Sequence, residues 1–173
     1  MDLDSLIRNV PDFPKPGIQF KDITPLLASG PALRHVVDLL AERYRGKIDA
    51  VVGVESRGFL VGAPVAYALG VGLCIVRKPG KLPHDTHTVT YQLEYGSDSL
   101  EIHRDALPAS SRVVLLDDLL ATGGTARAAI SLVEACGASV IECGFLIELA
   151  FLGGRAALAP VPVHSLLHYA GES

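Results

Sequence analysis

The sequence predicts an α/β fold with a central parallel sheet of about five strands and helices on both faces. Short apolar runs alternate along the chain with segments of helical periodicity, which is typical of parallel strands joined by right-handed crossovers. Two of these runs, Asp49–Val54 and Arg112–Asp117, are apolar at most positions, as strands buried on both faces are. The 173 residues, 49% of them hydrophobic, suit one domain with a sizeable core.

The first part of the chain predicts an irregular start followed by one amphipathic helix. Asp2–Asn9 predicts a short helix, Val10–Gly17 with its three prolines an irregular loop, and Ile18–Asp22 an extended segment. Pro31–Arg45 places apolar side chains on one helical stripe with charges opposite, and it starts with proline, which suits a first helical turn.

The middle of the chain predicts a strand, a helix and a second strand. Asp49–Val54 is followed by Gly58–Leu69, which we interpret as a helix, and by Gly72–Val76, which we interpret as the next strand. Residues 58–76 carry no charge and approach the length of a membrane-spanning helix. Four glycines and Pro64 interrupt this run, so a buried helix, a tight turn and a buried strand explain it better.

The last part of the chain predicts a hairpin and then strands alternating with helices. Thr86–Leu93 alternates in polarity and is rich in Thr, Val and Tyr, which predicts an antiparallel strand or a long mobile hairpin, with Leu100–Ile102 as its pairing partner. The remaining predicted elements are a strand at Arg112–Asp117, a helix at Gly124–Cys136, a strand at Ser139–Ile147, a short helix at Gly154–Leu158 and a strand at Val163–Leu167.

Charge and cysteine usage limit the partners and the compartment that we expect. Lys and Arg total 15 against 19 Asp and Glu, a net charge of −4, whereas broad nucleic-acid binding needs a basic face. Cys74, Cys136 and Cys143 are odd in number and contain no CxxC pair, which indicates free thiols in a reducing compartment. The amino-terminal residues include two acids and no long apolar stretch, so we expect no secretory signal and a cytoplasmic location.

The segment Val113–Ala126 (VVLLDDLLATGGTA) carries the strongest functional signal. An apolar strand ends in Asp117 and Asp118, and a loop rich in Gly and Thr then leads into a helix. Glycines let several backbone N–H groups converge, and a helix start adds partial positive charge, so this loop is suited to a phosphate. Thr122 and Thr125 each add a hydroxyl donor.

Two carboxylates beside a phosphate are unfavourable because like charges repel. A sugar phosphate resolves this conflict, because the acids can accept hydrogen bonds from ribose hydroxyls while the phosphate reaches further into the loop. A divalent cation on the ribose and on a second phosphate also suits carboxylates. The segment lacks the P-loop pattern and lacks GxGxxG, and a simple Gly-rich helix cap explains only one Asp and one Gly.

These residues resemble the donor-binding motif of type I phosphoribosyltransferases. Four further segments resemble the adenine phosphoribosyltransferase family, in the family's order: Asp12–Leu27 (DFPKPGIQFKDITPLL), Glu55–Gly62 (ESRGFLVG), Arg77–Pro83 (RKPGKLP) and Leu93–Gly96 (LEYG). The similarity extends from about residue 12 to residue 169. It implies a type I phosphoribosyltransferase-like fold with a small N-terminal hood and a flexible lid.

The resemblance implies a pentosyltransferase that moves 5-phosphoribose from 5-phospho-α-D-ribosyl 1-diphosphate to adenine, giving AMP and diphosphate in purine salvage. It implies Mg²⁺ as cofactor, held through the substrate, with Asp117 as a candidate ligand. It also implies a homodimer, with residues near Arg77 close to the partner subunit. The implied organisation is one domain over residues 1–173, with an N-terminal helix and hood at 1–30 and a catalytic lid at 82–95.

The residues that the resemblance assigns to the donor follow two strand ends or lie near the lid. The two acids would hold the ribose, and the Gly- and Thr-rich loop would hold the 5′-phosphate. A turn that has a cis peptide nearby would hold the diphosphate. Cationic side chains belong there, because a departing diphosphate needs them. The residues assigned to the donor are Asp117, Asp118, Ala121, Thr122, Gly123, Gly124, Thr125, Glu55, Ser56, Arg57, Arg77, Lys81 and Tyr95.

The base and the proton transfer are assigned to the hood and the lid. Similarity implies that Phe20 stacks on the purine and that backbone groups near Gln19 and Lys21 read adenine, although Phe20 also fits an ordinary core position. Glu94 is the implied acceptor of the proton from the purine ring, with Arg57 and Asp118 as the other catalytic residues. A solvated strand glutamate is the alternative interpretation of Glu94.

Two other functions remain open on the sequence. One is a phosphoribosyltransferase for hypoxanthine, guanine or xanthine. The other is a non-catalytic sensor that binds the phosphoribosyl donor, which would be expected to carry a DNA-binding helix pair or a basic face. Neither feature is evident in the sequence, so we expect small-molecule substrates and neither nucleic acid nor membrane as a partner.

Overall fold

The computed structural model describes residues 1–93 and 95–172, in nine strands and five α-helices. In chain order these are β1 (Arg8–Pro11), β2 (Gln19–Asp22), α1 (Thr24–Ala28), α2 (Gly30–Tyr44), β3 (Ala50–Val54), α3 (Arg57–Leu69), β4 (Gly72–Val76), β5 (Thr86–Gln92), β6 (Ser97–His103), β7 (Arg112–Leu120), α4 (Gly124–Ala135), β8 (Ser139–Leu149), α5 (Gly154–Leu158) and β9 (Val163–Tyr169).

Five strands form the central sheet in the order β4-β3-β7-β8-β9, and all the neighbours are parallel. The predicted five-strand parallel sheet is therefore confirmed. The chain leaves β3 towards β4 on one side, and it later returns to place β7 on the other side of β3. Ligands of such sheets bind beyond the carboxyl ends of the strands where the strand order reverses, which is between β3 and β7.

The two faces of the sheet bury two separate apolar clusters. Val51 and Leu116 point to the face covered by α2 and α3. Val52 and Leu115 point to the opposite face, which is covered by α4 and by the β5–β6 hairpin. Because side chains alternate along a strand, each central strand contributes to both clusters and is apolar at nearly every position.

The amino-terminal segment differs from the sequence-based expectation. The helix predicted at Asp2–Asn9 is wrong: a single 3₁₀ turn at Asp4–Leu6 is followed by β1, which pairs with β2 in antiparallel fashion. A short helix is only marginally stable without packing, because it leaves many of its backbone groups exposed. The pairing of β1 with β2 instead gives these backbone groups hydrogen-bond partners. The helix α1 was not predicted, and Asp22 accepts hydrogen bonds from the Thr24 N–H and hydroxyl at its start.

Strands β6, β7, β8 and β9 are each longer than predicted. Strand β7 continues to Leu120, so the two acids belong to the strand itself. The segment predicted as a strand or a mobile hairpin is strand β5, which pairs with β6 over its full length and packs on α4. Within the described residues, no helix is both long enough and apolar enough to cross a membrane.

Gly144 lies in the middle of β8 where two buried side chains leave no room for a methyl group. A Cβ at this position would lie 2.6 Å from Leu116 Cδ2 and 2.8 Å from the Tyr44 hydroxyl. We expect Gly144→Ala to lower the free energy of unfolding by about 1–3 kcal/mol, because overpacked cores strain their neighbours. Urea denaturation measures this change. Gly72→Ala in β4 is the control, since a Cβ at Gly72 meets nothing within 4 Å; equal midpoints for the two variants would contradict the packing argument.

Candidate active site

A cleft of about 580 Å³ opens at the carboxyl ends of β3 and β7. It brings together the two segments that the sequence singled out, the turn after β3 and the loop after β7. Its walls are Glu55, Ser56, Arg57, Lys78, Asp117, Asp118, Leu119, Leu120, Ala121, Thr122, Gly123, Gly124, Thr125, Ala126 and Phe145.

The loop at Ala121–Gly123 passes directly into α4, and Gly123 allows this turn by adopting a φ of 89°. The N–H groups in the first turn of a helix have no partner within the helix, and Thr125 and Ala126 of that turn line the cleft. The aligned peptide dipoles add partial positive charge at the same end. The loop is therefore arranged to bind an anion.

The two acids of β7 differ in their environments. Asp118 is buried, and its Oδ2 lies 2.7 Å from Arg57 Nε. Asp117 accepts a hydrogen bond of 2.8 Å from the Asp118 N–H. Burial raises the pKa of Asp117 well above its ordinary value of 3.8, and the charge of Asp118 raises it further. Asp118 is thus the carboxylate that is paired with Arg57, whereas Asp117 resists ionisation when no ligand is bound.

Gly58 allows α3 to begin directly against the end of β7. A Cβ at Gly58 would lie 2.9 Å from Asp117 Oδ1 and 3.0 Å from the Leu116 carbonyl oxygen. A larger residue would push the turn after β3 away from the acids. The glycine in the ESRG segment therefore sets the width of the cleft at this point.

Glu55 contacts three cationic residues in the loop that follows β4. Its carboxylate lies 3.4 Å from Arg77 Nε and 2.5 Å from Lys81 Nζ, and it accepts the Lys78 N–H at 2.5 Å. Burial alone would raise the pKa of Glu55, but the bonds from Lys81 and Lys78 hold it below its usual value. The Glu55–Ser56 peptide is cis, the kind of bond that the resemblance implied near this turn. Arg77 and Lys81 do not line the cleft; both contact its wall through Glu55.

A polar bridge across one side of the cleft was not predicted from the sequence. Lys78 Nζ binds Asp98 Oδ2, the Tyr91 hydroxyl lies 3.5 Å from the same oxygen, and that hydroxyl lies 3.2 Å from Thr125 Oγ1. The only local signal for Lys78 was its place beside Arg77. Tyr91 and Asp98 gave no signal, because their position depends on the pairing of β5 with β6 and on the packing of both on α4.

The hood residues lie beside the cleft and do not form its wall. The Arg57 guanidinium lies over the Phe20 ring at 5.3 Å, and the Phe13 ring meets Phe20 edge-on at 5.0 Å. The Lys21 ammonium is buried, 2.6 Å from Asn9 Oδ1. Gln19 begins β2, a strand that pairs along one edge with β1. Phe20 is thus next to the cleft, which the sequence alone could not establish.

The lid residues complete the comparison with the predicted site. Tyr95 is exposed and lies outside the cleft walls. Glu94 lies outside the described residues. Among the described residues, no group of three His, Cys, Asp or Glu side chains is arranged to hold a metal ion.

The fold and this cleft define a class of protein. Residues 22–156 match the family model described as the phosphoribosyl transferase domain. The chain belongs to the phosphoribosyltransferase family.

Within that family the chain is similar to several adenine phosphoribosyltransferases. The enzyme of that name from Roseiflexus sp. strain RS-1 is 60% identical over 96% of this chain and 98% of its own length. The crystal structure of adenine phosphoribosyltransferase from Thermoanaerobacter pseudethanolicus is similar with a TM-score of 0.94, at 51% identity, over 97% of this chain and 98% of that one. The Saccharomyces cerevisiae enzyme, solved with adenine and an imino-altritol bisphosphate, gives a TM-score of 0.90 at 44% identity over 95% and 96%.

The raised pKa of the half-buried Asp117 carboxyl predicts a gain of stability when its charge is removed. We expect Asp117→Asn to raise the free energy of unfolding of the ligand-free protein at pH 8 by about 1–3 kcal/mol, since the amide oxygen can still accept the Asp118 N–H. The raised pKa means that the wild-type penalty is absent below the ordinary value of 3.8 and grows as the pH rises. Urea denaturation at pH 5 and pH 8 tests this expectation.

Asp49→Asn is the control for the sign of this effect. Hydrogen bonds from the Arg112 N–H and side chain lower the pKa of Asp49, so its ionised form stabilises the folded state. Its removal should cost the same stability at pH 5 and at pH 8, because both values lie above the ordinary pKa of 3.8, whereas the benefit of Asp117→Asn should grow between them. A benefit of Asp117→Asn that is larger at pH 5 than at pH 8 would show that Asp117 is not held protonated by its surroundings.

Proposed function

We propose that this chain transfers 5-phosphoribose from 5-phospho-α-D-ribosyl 1-diphosphate to adenine, releasing AMP and diphosphate. One observation carries the proposal: the anion-binding loop, the acid pair and the Arg57 turn share one cleft at the point where the strand order reverses. Family membership at high identity over the whole chain supports the same activity.

The donor fits the cleft with its 5′-phosphate in the loop from Ala121 to Thr125. Its ribose hydroxyls then meet Asp118 and Asp117, which accept hydrogen bonds when ionised. Its diphosphate meets the turn at Glu55, Ser56 and Arg57, with Arg77 and Lys81 behind that turn. Mg²⁺, carried by the substrate, would neutralise diphosphate charge, and Asp117 is suited to assist as an oxygen ligand because ionised carboxylates bind this ion.

The chemistry requires positive charge where the diphosphate departs. Arg57 supplies it in the wall of the cleft, and its pairing with Asp118 fixes the guanidinium in place before the substrate arrives. The anomeric carbon gains oxocarbenium character as the bond to diphosphate breaks, and purine N9 attacks from the opposite face. Glu94 is proposed as the acceptor of the purine proton.

The hood is suited to read adenine through its backbone. The side chain of Lys21 is bound to Asn9, so it is not available to the base, whereas β2 turns every second residue's N–H and carbonyl away from β1. A carbonyl near Gln19 or Lys21 accepting the exocyclic amine, and an N–H donating to N1, would reject hypoxanthine and guanine. Each buried mismatch costs roughly 1–3 kcal/mol. Phe20 would stack on the ring beside Arg57.

We propose that residues 1–173 act as one catalytic domain, with a base-binding hood at 1–30 and a lid at 82–95. Two observations support the lid assignment: the ladder between β5 and β6, and the contact of Tyr91 with Thr125. They bring this segment against the loop from Ala121 to Thr125, which we call the phosphate loop. Movement of such a lid would exclude water from the reactive cation. We also propose a cytoplasmic location, in keeping with the three free thiols.

A homodimer is supported by an apolar stripe on α3 and on the edge strand β4. Tyr67 is 91% exposed, Leu60 48% and Leu73 38%. Leu60 and Tyr67 are seven residues apart and therefore lie on one side of the helix. Contiguous exposed apolar surface marks interaction sites, and β4 leads directly to Arg77, the region that the resemblance places near a partner.

We expect Tyr67→Glu to convert the dimer into a monomer, because a buried unpaired charge opposes association while an exposed charge leaves the monomer fold intact. Sedimentation velocity measures the mass, and Tyr67→Phe is the matched control that keeps the apolar ring. A wild-type chain that sediments as a monomer, or a Tyr67→Glu variant that stays dimeric, would remove this face from the interface.

The assay that tests the function measures diphosphate release from the donor with adenine, hypoxanthine, guanine or xanthine. We expect release with adenine and a loss of at least tenfold with each other base, in line with one buried mismatch. Asp118→Asn should lower turnover by about 10² or more, because it removes the negative charge that orients Arg57 and replaces one of two acceptor oxygens with an N–H donor. Donor binding without turnover would favour the sensor, and release with another base would favour a different purine specificity.

A further inference from the structure

An ion pair between the buried Glu148 and the half-exposed Arg155 lies at the carboxyl end of β8, behind the phosphate loop and outside the cleft walls. Arg155, in the first turn of α5, donates two hydrogen bonds to the Glu148 carboxylate, at 3.1 Å from Nε and 2.5 Å from Nη2. It donates a third, of 2.6 Å, to the Val163 carbonyl oxygen. The guanidinium therefore joins α5 to β8 and to β9.

The acid of this pair is fully engaged. The Glu148 side chain is 4% exposed and also accepts a hydrogen bond of 2.6 Å from the Ser165 hydroxyl. Burial alone would raise the pKa of Glu148, but the bonds from Arg155 and Ser165 keep it below its usual value. A buried carboxylate held in this way stays charged and retains Arg155 in one geometry.

The residue next to Arg155 supports the phosphate loop. A Cβ on Gly154 would collide with the Ala121 carbonyl oxygen and would lie 2.8 Å from Leu120 Cδ1. A Cβ on Gly123 would lie 3.0 Å from the Gly154 carbonyl oxygen and 3.2 Å from Ala157 Cβ. The two glycines thus pack face to face, and the first turn of α5 forms the floor under the loop.

We propose that the Glu148–Arg155 pair is a positioning element for the donor's 5′-phosphate, acting through Gly154 on the backbone of the phosphate loop. The inference rests on the proposed function of that loop. Glu148 lies opposite Leu120 in the ladder between β7 and β8, so the pair is at the level where the loop begins. Amide donors bind an anion well when their directions are fixed beforehand, and a glycine-rich loop must be fixed by its surroundings.

The test compares Arg155→Lys with the wild type. Lysine keeps the positive charge but loses the two-pronged contact and the bond to Val163. We expect the KM for the donor and the Kd for ribose 5-phosphate, measured by calorimetry, to rise about tenfold, since small displacements of binding groups have effects of this size or larger. The KM for adenine and the kcat should stay within about twofold.

Arg43→Lys is the matched control. Arg43 binds Glu142 with two bonds of 2.7 Å, also on β8 but at the amino end of the sheet. This variant removes the same kind of contact from the same strand, so we expect a similar loss of thermal stability with no change in ribose 5-phosphate binding. Glu148→Gln is the second test variant, and it should weaken the binding of ribose 5-phosphate as Arg155→Lys does. Because about half of the Arg155 side chain is exposed, its charge remains solvated in this variant.

The outcomes separate the two proposals. If the wild type does not bind ribose 5-phosphate, the proposed function of the loop fails. If the wild type binds it and Arg155→Lys and Glu148→Gln bind it equally well, the positioning role fails and the function stands. Equal losses of ribose 5-phosphate affinity in Arg155→Lys and Arg43→Lys would likewise overturn the positioning role, because they would show a general effect of stability.

Discussion

The pairing of Arg57 with Asp118 joins the two sides of the cleft, and the proposed binding of the donor depends on it. It bridges the turn after β3 and the end of β7 at 2.7 Å, across the gap where the strand order reverses. Two further cations near the cleft are also paired with carboxylates: Lys81 binds Glu55, and Lys78 binds Asp98. A protein with a net charge of −4 can thus keep cations fixed for an anionic substrate without leaving them unpaired before it binds.

This compensation has a thermodynamic consequence for binding. An anion that takes Arg57 or Lys78 from its carboxylate gains one ion pair and breaks another, so the net gain is smaller than the sum of the new contacts. Asp117 adds to the same balance, because a carboxyl that resists ionisation does not repel an arriving phosphate. The acid pair therefore presents less negative charge than two aspartates suggest, which reconciles its place beside an anion-binding loop.

Local patterns predicted most of the parallel sheet and the phosphate loop, because burial on both faces and glycine content are properties of short segments. The bounds of β4 and α5 match their predictions, and the strand ending in Asp117 and Asp118 was recognised although it continues to Leu120. The Lys78–Asp98 contact and the Glu148–Arg155 pair could not be predicted. Each joins separate elements, and only the packing of the hairpin or of α5 brings the partners together.

Strand β8 shows how one element can serve stability and function at its two ends. Near its start Glu142 binds Arg43 of α2, and near its other end Glu148 binds Arg155 of α5. Both pairs have the same chemistry, yet only the second lies behind a turn of two facing glycines, where a methyl group would collide with backbone. Because closely packed groups cannot absorb displacement, a shift of the first turn of α5 also shifts the backbone N–H groups of the loop above it. The position of a pair relative to such a contact, more than its strength, therefore decides whether it affects ligand binding.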